Sequence, residues 1–402
     1  MSFLSPSSKA IAFLASAALA AAALVSCGVK PSESFSDVNT VNLPHTSVKW
    51  QSIGNCWAYS FTSWLESMVL TSSDGAQSLN ISESFITYVH YRSQLLSRST
   101  RLTSVQTGGW FETAAALTLK HGYMLEGEFI PEESEQTFSA RQQVATAYLD
   151  ESLKNGLLKT DRSPATVKAE LNAAFGIDID ALAPNLKSAS DLTVRLPGSA
   201  GITTLARLID PASRDGWRAA RWVKDSPTPV GGTTFPYWAG KQSAAQSALL
   251  KRVKKALNAG YPVVIDWFVD FNALNGKGEF SGKQLELKGP GRQGLHSTVI
   301  EDYVVEGVNP ATGEKFVVGE GEATPEEKKL AEEFGEITYF VVKNSWGGSE
   351  RLDRVSYVRD GEGGYHKLDA DYIFSWIKQV DEDGNDDGID TGLTRFVLPA
   401  GY

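Results

Sequence analysis

Gly54-Asn55-Cys56-Trp57-Ala58-Tyr59-Ser60-Phe61 places a cysteine at the mouth of an apolar, helix-compatible run. From Cys56 to Leu70, the residues Trp57, Phe61, Trp64, Leu65 and Met68 recur at mixed three- and four-residue spacing, which predicts a buried helix. A helix N-terminus points unpaired N–H groups and the positive end of its dipole at whatever sits there, so a thiolate is favoured in that position. An isolated cysteine is more often a small core residue. What tilts the balance is the rest of the cysteine inventory and the company Cys56 keeps downstream.

The chain has 2 cysteines, Cys27 and Cys56. Cys27 ends Leu24-Val25-Ser26-Cys27-Gly28, which follows Lys9 and the apolar run Ala10 to Leu24. That run is short for a bilayer span and has the layout of a targeting segment. The string resembles the lipobox of bacterial lipoproteins, in which the cysteine is acylated and becomes the mature N-terminus; an ordinary secretory signal is the alternative. With Cys27 lipidated, Cys56 has no intramolecular partner. A lone thiol in an oxidising compartment is a liability unless its reactivity is useful. No CxxC or Cys/His cluster is present, so no metal site is expected. The net charge of −10 argues against a nucleic-acid partner.

Two downstream strings complete the pattern: Leu295-His296-Ser297-Thr298-Val299-Ile300 and Val342-Lys343-Asn344-Ser345-Trp346-Gly347-Gly348. Cysteine, then histidine before a small residue, then Asn-Ser-Trp-Gly, in that order, resembles the papain-like cysteine peptidases. The resemblance implies an α+β, two-lobed fold, with a helical left lobe bearing Cys56 and an antiparallel β right lobe bearing His296 and Asn344. It implies that Cys56 is the nucleophile, His296 the base, and Asn344 the residue that orients the imidazole. Trp346 would shield the His–Asn bond at the substrate cleft. The family's oxyanion glutamine lies a few residues before the cysteine. Gln51 is the candidate, one residue closer than usual, while Trp50 occupies the strict register. Gly108-Gly109 resembles the family's substrate-pairing glycines, where a peptide backbone must approach closely; a plain helix start is the other reading.

Taken in order, the sequence divides into a signal peptide (1–26), a tether (27–49), a left lobe (50–131), an insertion (132–245) and a right lobe (246–402). Within the insertion the pattern predicts helices over Gln136–Leu157 and Ser163–Phe175, and a partly helical stretch over Ile202–Trp222. The segment Phe271 to Gln293 reads as a Gly-rich loop, and Thr324–Phe334 as a charged helix. The insertion leaves one lobe and returns into the other, so it is placed either to overhang the cleft or to decorate the back. Asp381–Asp390 fits the start of a calcium loop but lacks the closing glutamate, which favours a solvated acidic loop.

The expected partners are a peptide or protein substrate and a membrane, reached through the lipid on Cys27, at the outer membrane of a bacterial cell envelope. Acyl or amide transfer on the same fold, and a catalytically retired cleft-binding protein, are the alternative functions.

Overall fold

The computed structural model describes residues 38–402 apart from 73–78, 98–101, 135, 197–200, 225–241, 320, 350, 352–354, 360 and 382. The expected signal peptide, Cys27 and the first part of the expected tether lie outside the described residues. The fold is mixed α+β, with helices concentrated in the first half of the chain and strands in the second.

Helix Cys56–Ser72 organises the helical half. Trp57, Phe61, Trp64, Leu65 and Met68 are buried, and so are Ser60, Thr62 and Ser67. A helix buried on nearly every side has to lie inside the protein. It packs on helix Phe111–His121, where Phe111 meets Phe61 and Trp64 edge-on with ring centroids 5.2 Å apart in each case. It also lies along strand Gln293–Val308. The Trp64 indole N–H donates to the Pro262 carbonyl at 2.7 Å, so the helix is pinned where strand Val263–Asp270 begins.

The main sheet runs in the order Tyr357–Arg359, Glu362–Asp369, Glu336–Lys343, Gln293–Val308, Val263–Asp270, Leu393–Pro399 and Trp217–Arg221. Each neighbouring pair along this path is antiparallel. Strand Val263–Asp270 is buried along nearly its whole length because helices Cys56–Ser72 and Ala244–Asn258 press on it and it is central in the sheet; Asp266, within it, is paired with Arg395. Ser243 and Gln246 form a capping box that starts helix Ala244–Asn258.

The stretch 132–245, expected as an insertion, contributes to this core. Helices Ala140–Asn155 and Pro164–Phe175 pack on each other and on helix Glu83–Leu95. Ser163 caps the second of them and Pro164 occupies its first turn. Leu149, Leu153, Val167, Leu171 and Phe175 belong to the same hydrophobic cluster as Trp57 and Trp64. The stretch Ile202–Trp222, expected to be partly helical, is helical only over five residues. It forms strand Ile202–Thr204, a short helix Leu205–Ile209 and strand Trp217–Arg221. Pairing with Leu393–Pro399 overrides the helical preference of Arg218, Ala219 and Ala220. The Gly-rich stretch after Phe271 likewise contains strand Glu279–Phe280 and helix Gly282–Lys288. Thr324 caps the charged helix Pro325–Phe334.

Residues 40–51 form a strap along both halves of the molecule. On the sheet side, Thr40 Oγ1 donates to Tyr303 O at 2.7 Å, and the Val41 and Asn42 amides donate to Asp302 at 3.1 and 3.3 Å. The Val48 amide donates to Glu362 at 2.7 Å. On the helical side, Thr46 donates to Glu66 at 2.5 Å, and the Lys49 ammonium bridges Glu83 at 2.9 Å and Glu126 at 2.6 Å. Four carboxyl groups share this buried region with two lysines: Glu66, Glu83, Glu126 and Glu133 lie near Lys49 and Lys343. Burial, with Glu83 beside it, pushes the Glu126 carboxyl up to about 8.

The acidic segment near the C-terminus is a hairpin, Trp376–Val380 with Asp386–Thr391. Asp381 closes its turn by accepting from the amides of Asp383 at 3.0 Å and Asn385 at 2.7 Å.

Candidate active site

Cys56 is the first residue of its helix and is half-buried. Asn55 holds the helix start: its carbonyl accepts from the Ala58 amide at 2.9 Å. Its side-chain amide reaches Thr87 at 3.1 Å and Gln142 at 2.8 Å. Burial pushes the thiol up to about 11. Backbone hydrogen bonds from Ser297, Trp57 and Cys56 itself oppose that rise, and the Asp266 carboxylate adds to it. The contact with the Ser297 backbone sets the thiol beside the residue that follows His296.

One helical turn along, Ser60 Oγ and Ser297 Oγ are 2.8 Å apart. Residues four apart share a helix face, so this contact fixes the rotation that presents Cys56 to the His296 strand.

His296 lies on strand Gln293–Val308, opposite Trp267. Its Nε2 is 2.6 Å from Asn344 Oδ1. Its ring stacks on Trp346, with centroids 4.8 Å apart and planes 25° apart, and meets Trp267 edge-on at 5.8 Å. Burial pulls the imidazole down to about 4, against the hydrogen bond it donates to Asn344. Asn344 follows strand Glu336–Lys343, and its Oδ1 also accepts from the Ser345 amide at 2.7 Å. Trp346 is half-buried, and Phe271 stacks with it at 5.3 Å. The indole therefore covers the His296 ring.

Gln51 lies beside Ser345. Its backbone amide donates to Ser345 O at 2.9 Å, and its Oε1 accepts from Ser345 Oγ at 2.5 Å. Its Nε2 donates to Ile53 O at 2.9 Å, which engages one of the two hydrogens that a carboxamide carries. Trp50, in the neighbouring register, packs on Phe138 at 4.1 Å beneath the Arg351 guanidinium at 3.4 Å. It anchors the loop.

Gly109 lies against Trp57. A Cβ on Gly109 would fall 2.7 Å from the Trp57 ring, whose indole N–H donates to Thr107 O at 2.8 Å. A Cβ on Gly108 would meet nothing within 4 Å, and Gly108 is exposed. The two glycines thus have different physical reasons: one makes room for the residue after the cysteine, and the other leaves open space.

Sequence reading gave no role to four residues around this site. Ser60 and Ser297 look like ordinary small residues until the helix docks on the strand. Asp266 faces Ser297 in the sheet and pairs with Arg395, which also binds Glu112. His366 contacts Asn344 directly, with Nδ1 3.2 Å from Asn344 Nδ2. Its only sequence signal is its place on the strand after Gly363-Gly364-Tyr365.

No protein-family model and no curated protein sequence matches the chain. Among solved structures it is similar to xylellain, a cysteine protease from Xylella fastidiosa, at 14% identity and a TM-score of 0.40, covering 92% of this chain and 90% of that one. It is also similar to digestive procathepsin L 3 of Tenebrio molitor larval midgut, at 14% identity and a TM-score of 0.34, covering 92% of this chain and 72% of that one.

Proposed function

We propose that this chain is a papain-like cysteine peptidase working at a bacterial cell envelope. The observation that carries the reading is the 2.6 Å contact between His296 Nε2 and Asn344 Oδ1, with the Cys56 thiol held against the Ser297 backbone. An amide oxygen only accepts, so His296 Nε2 carries the proton and Nδ1 is left as the base.

Burial disfavours a thiolate alone and an imidazolium alone. Moving the proton from Cys56 Sγ to His296 Nδ1 creates the two charges as an adjacent pair, which is the least costly way to charge this site. The sulfur then bonds to the substrate carbonyl carbon, and the carbonyl electron pair moves to oxygen. Donors for that oxyanion are the Cys56 backbone N–H and the second N–H of Gln51. Collapse breaks the C–N bond, and the leaving amine takes the proton from Nδ1. Water next gives a proton to Nδ1 as its oxygen attacks the thioester, and Cys56 sulfur departs and recovers the proton. Trp346 keeps water from the His296–Asn344 bond. Gly108 offers an open backbone for an extended peptide.

The cellular reading rests on Leu24–Cys27. A diacylated Cys27 would hold the protein at a membrane, with the catalytic unit following the tether; stable anchoring needs more than one acyl chain.

The direct test is turnover of a peptide library by the full-length protein and by Cys56→Ala. The variant should fold with an unchanged melting temperature and hydrolyse nothing. Wild-type turnover by Cys56→Ala would end the proposal.

A further inference from the structure

His366 lies on strand Glu362–Asp369, opposite Val342, and is fully buried at 1% exposure. Its Nε2 is 3.1 Å from the Val355 carbonyl. A carbonyl can only accept, so Nε2 holds the ring proton and Nδ1 presents a lone pair. That lone pair is 3.2 Å from Asn344 Nδ2, which donates to it. The other end of the same amide, Oδ1, is 2.6 Å from His296 Nε2. Donors and acceptors therefore alternate without conflict from the Val355 carbonyl to His296. A flipped Asn344 amide would set N–H against N–H at His296 and oxygen against a lone pair at His366.

We propose that His366 is a positioning residue: by accepting from Asn344 Nδ2 it fixes the orientation of the Asn344 amide, and so keeps His296 in the Nε2–H tautomer that leaves Nδ1 as base. This rests on the peptidase reading of Cys56 and His296. The Ser345 amide, 2.7 Å from Asn344 Oδ1, favours the same orientation. Loss of His366 therefore weakens the preference and does not erase it. The competing account makes His366 a packing residue, since its ring also meets Trp346 at 5.2 Å and Phe280 at 5.6 Å.

The two accounts make opposite predictions for two substitutions. His366→Leu keeps apolar bulk and loses the acceptor. His366→Asn loses bulk but places a carboxamide oxygen close to where Nδ1 was. Positioning predicts that His366→Leu lowers kcat roughly tenfold, the loss expected from one net hydrogen bond, with KM within about twofold. His366→Asn should then recover most of kcat. Packing predicts the reverse order.

The readout that does not depend on turnover is the ring-nitrogen NMR of His296 and His366 in the full-length protein at neutral pH. The expected spectrum shows both rings as Nε2–H tautomers, and a mixed His296 population in His366→Leu. A His296 signal unchanged in folded His366→Leu overturns the proposal. So does a wild-type His366 carrying its proton on Nδ1, which needs no variant to observe. Expected tautomers in a wild-type protein that hydrolyses no peptide would sink the peptidase reading and leave the relay standing.

Discussion

The proton exchange between Cys56 and His296 can be measured without a substrate. With burial as the leading cause, the thiol is set at about 11. At pH 7 a thiol with that value is ionised to roughly one part in ten thousand. His296→Ala leaves Cys56 in that condition, so its alkylation by iodoacetamide should climb about tenfold per pH unit and level only near pH 11. On the proposed peptidase reading, His296 takes the Cys56 proton in the wild type, and the resulting ion pair is reactive without free hydroxide. Its alkylation at pH 7 should exceed that of His296→Ala by at least about a hundredfold and plateau in the neutral range. Asn344→Ala removes the hydrogen bond that raises the imidazole value and should fall between the two. The loss there is about 1 to 2 kcal/mol, or roughly tenfold in rate. The assay is mass-resolved alkylation across pH 5 to about 11 on protein that is folded throughout. Superimposable profiles for wild type and His296→Ala would refute the coupling.

Gly109→Ala should lose about 1–3 kcal/mol in thermal or urea unfolding, because its Cβ would fall 2.7 Å from a buried Trp57 ring held by Thr107. Gly108→Ala meets no atom within 4 Å, so its melting temperature should match wild type while KM for an extended peptide rises. For pH, a histidine whose folded value is depressed to about 4 binds fewer protons folded than unfolded between about 6.5 and 4. Its contribution is therefore full above about 6.5 and is lost as pH falls, so wild type should lose on the order of 3 kcal/mol relative to His296→Gln across that window, read from urea midpoints. Cys27→Ser should move the protein from the membrane fraction to the soluble one, and mass spectrometry of wild-type protein should find an acylated Cys27.

The parts of this molecule legible in sequence are those whose pattern is local. Helices Ala140–Asn155 and Pro164–Phe175 follow from spacing and from Ser163-Pro164. The buried Cys56 helix follows from Trp57, Phe61 and Trp64. His296 and Asn344 stood out because each carries a short signature at the edge of a β-branched strand. What stayed hidden depends on partners far along the chain. Trp217–Arg221 is a strand only because Leu393–Pro399 offers it a ladder. His366 meets Asn344 only because Val342 and His366 fall opposite each other in an antiparallel register. Gln51 was ambiguous by one residue, and in the structure Ser345 on one side and Ile53 on the other decide where its amide lies.

The strap of residues 40–51 has a mechanical consequence. Its attachments are arranged in series: Tyr303, then Asp302, then Glu66, then Glu362, then Glu83 and Glu126, and only after those Ser345 and the loop to Cys56. A pull applied upstream of residue 40 reaches the thiol only after these anchors have failed one by one. The nearer ones are ordinary hydrogen bonds; Lys49, buried between Glu83 and Glu126, comes next, and its rupture would strand charge in the interior before the Trp50 amide, bonded to Thr137 O at 2.6 Å, and then Gln51 are reached. Load entering from the N-terminal side is thus met by replaceable hydrogen bonds first, and Cys56 sits behind the buried Lys49 ion pairs. In an optical-trap experiment pulling from residue 38, activity should persist through the first small extensions and disappear with the step that frees Lys49.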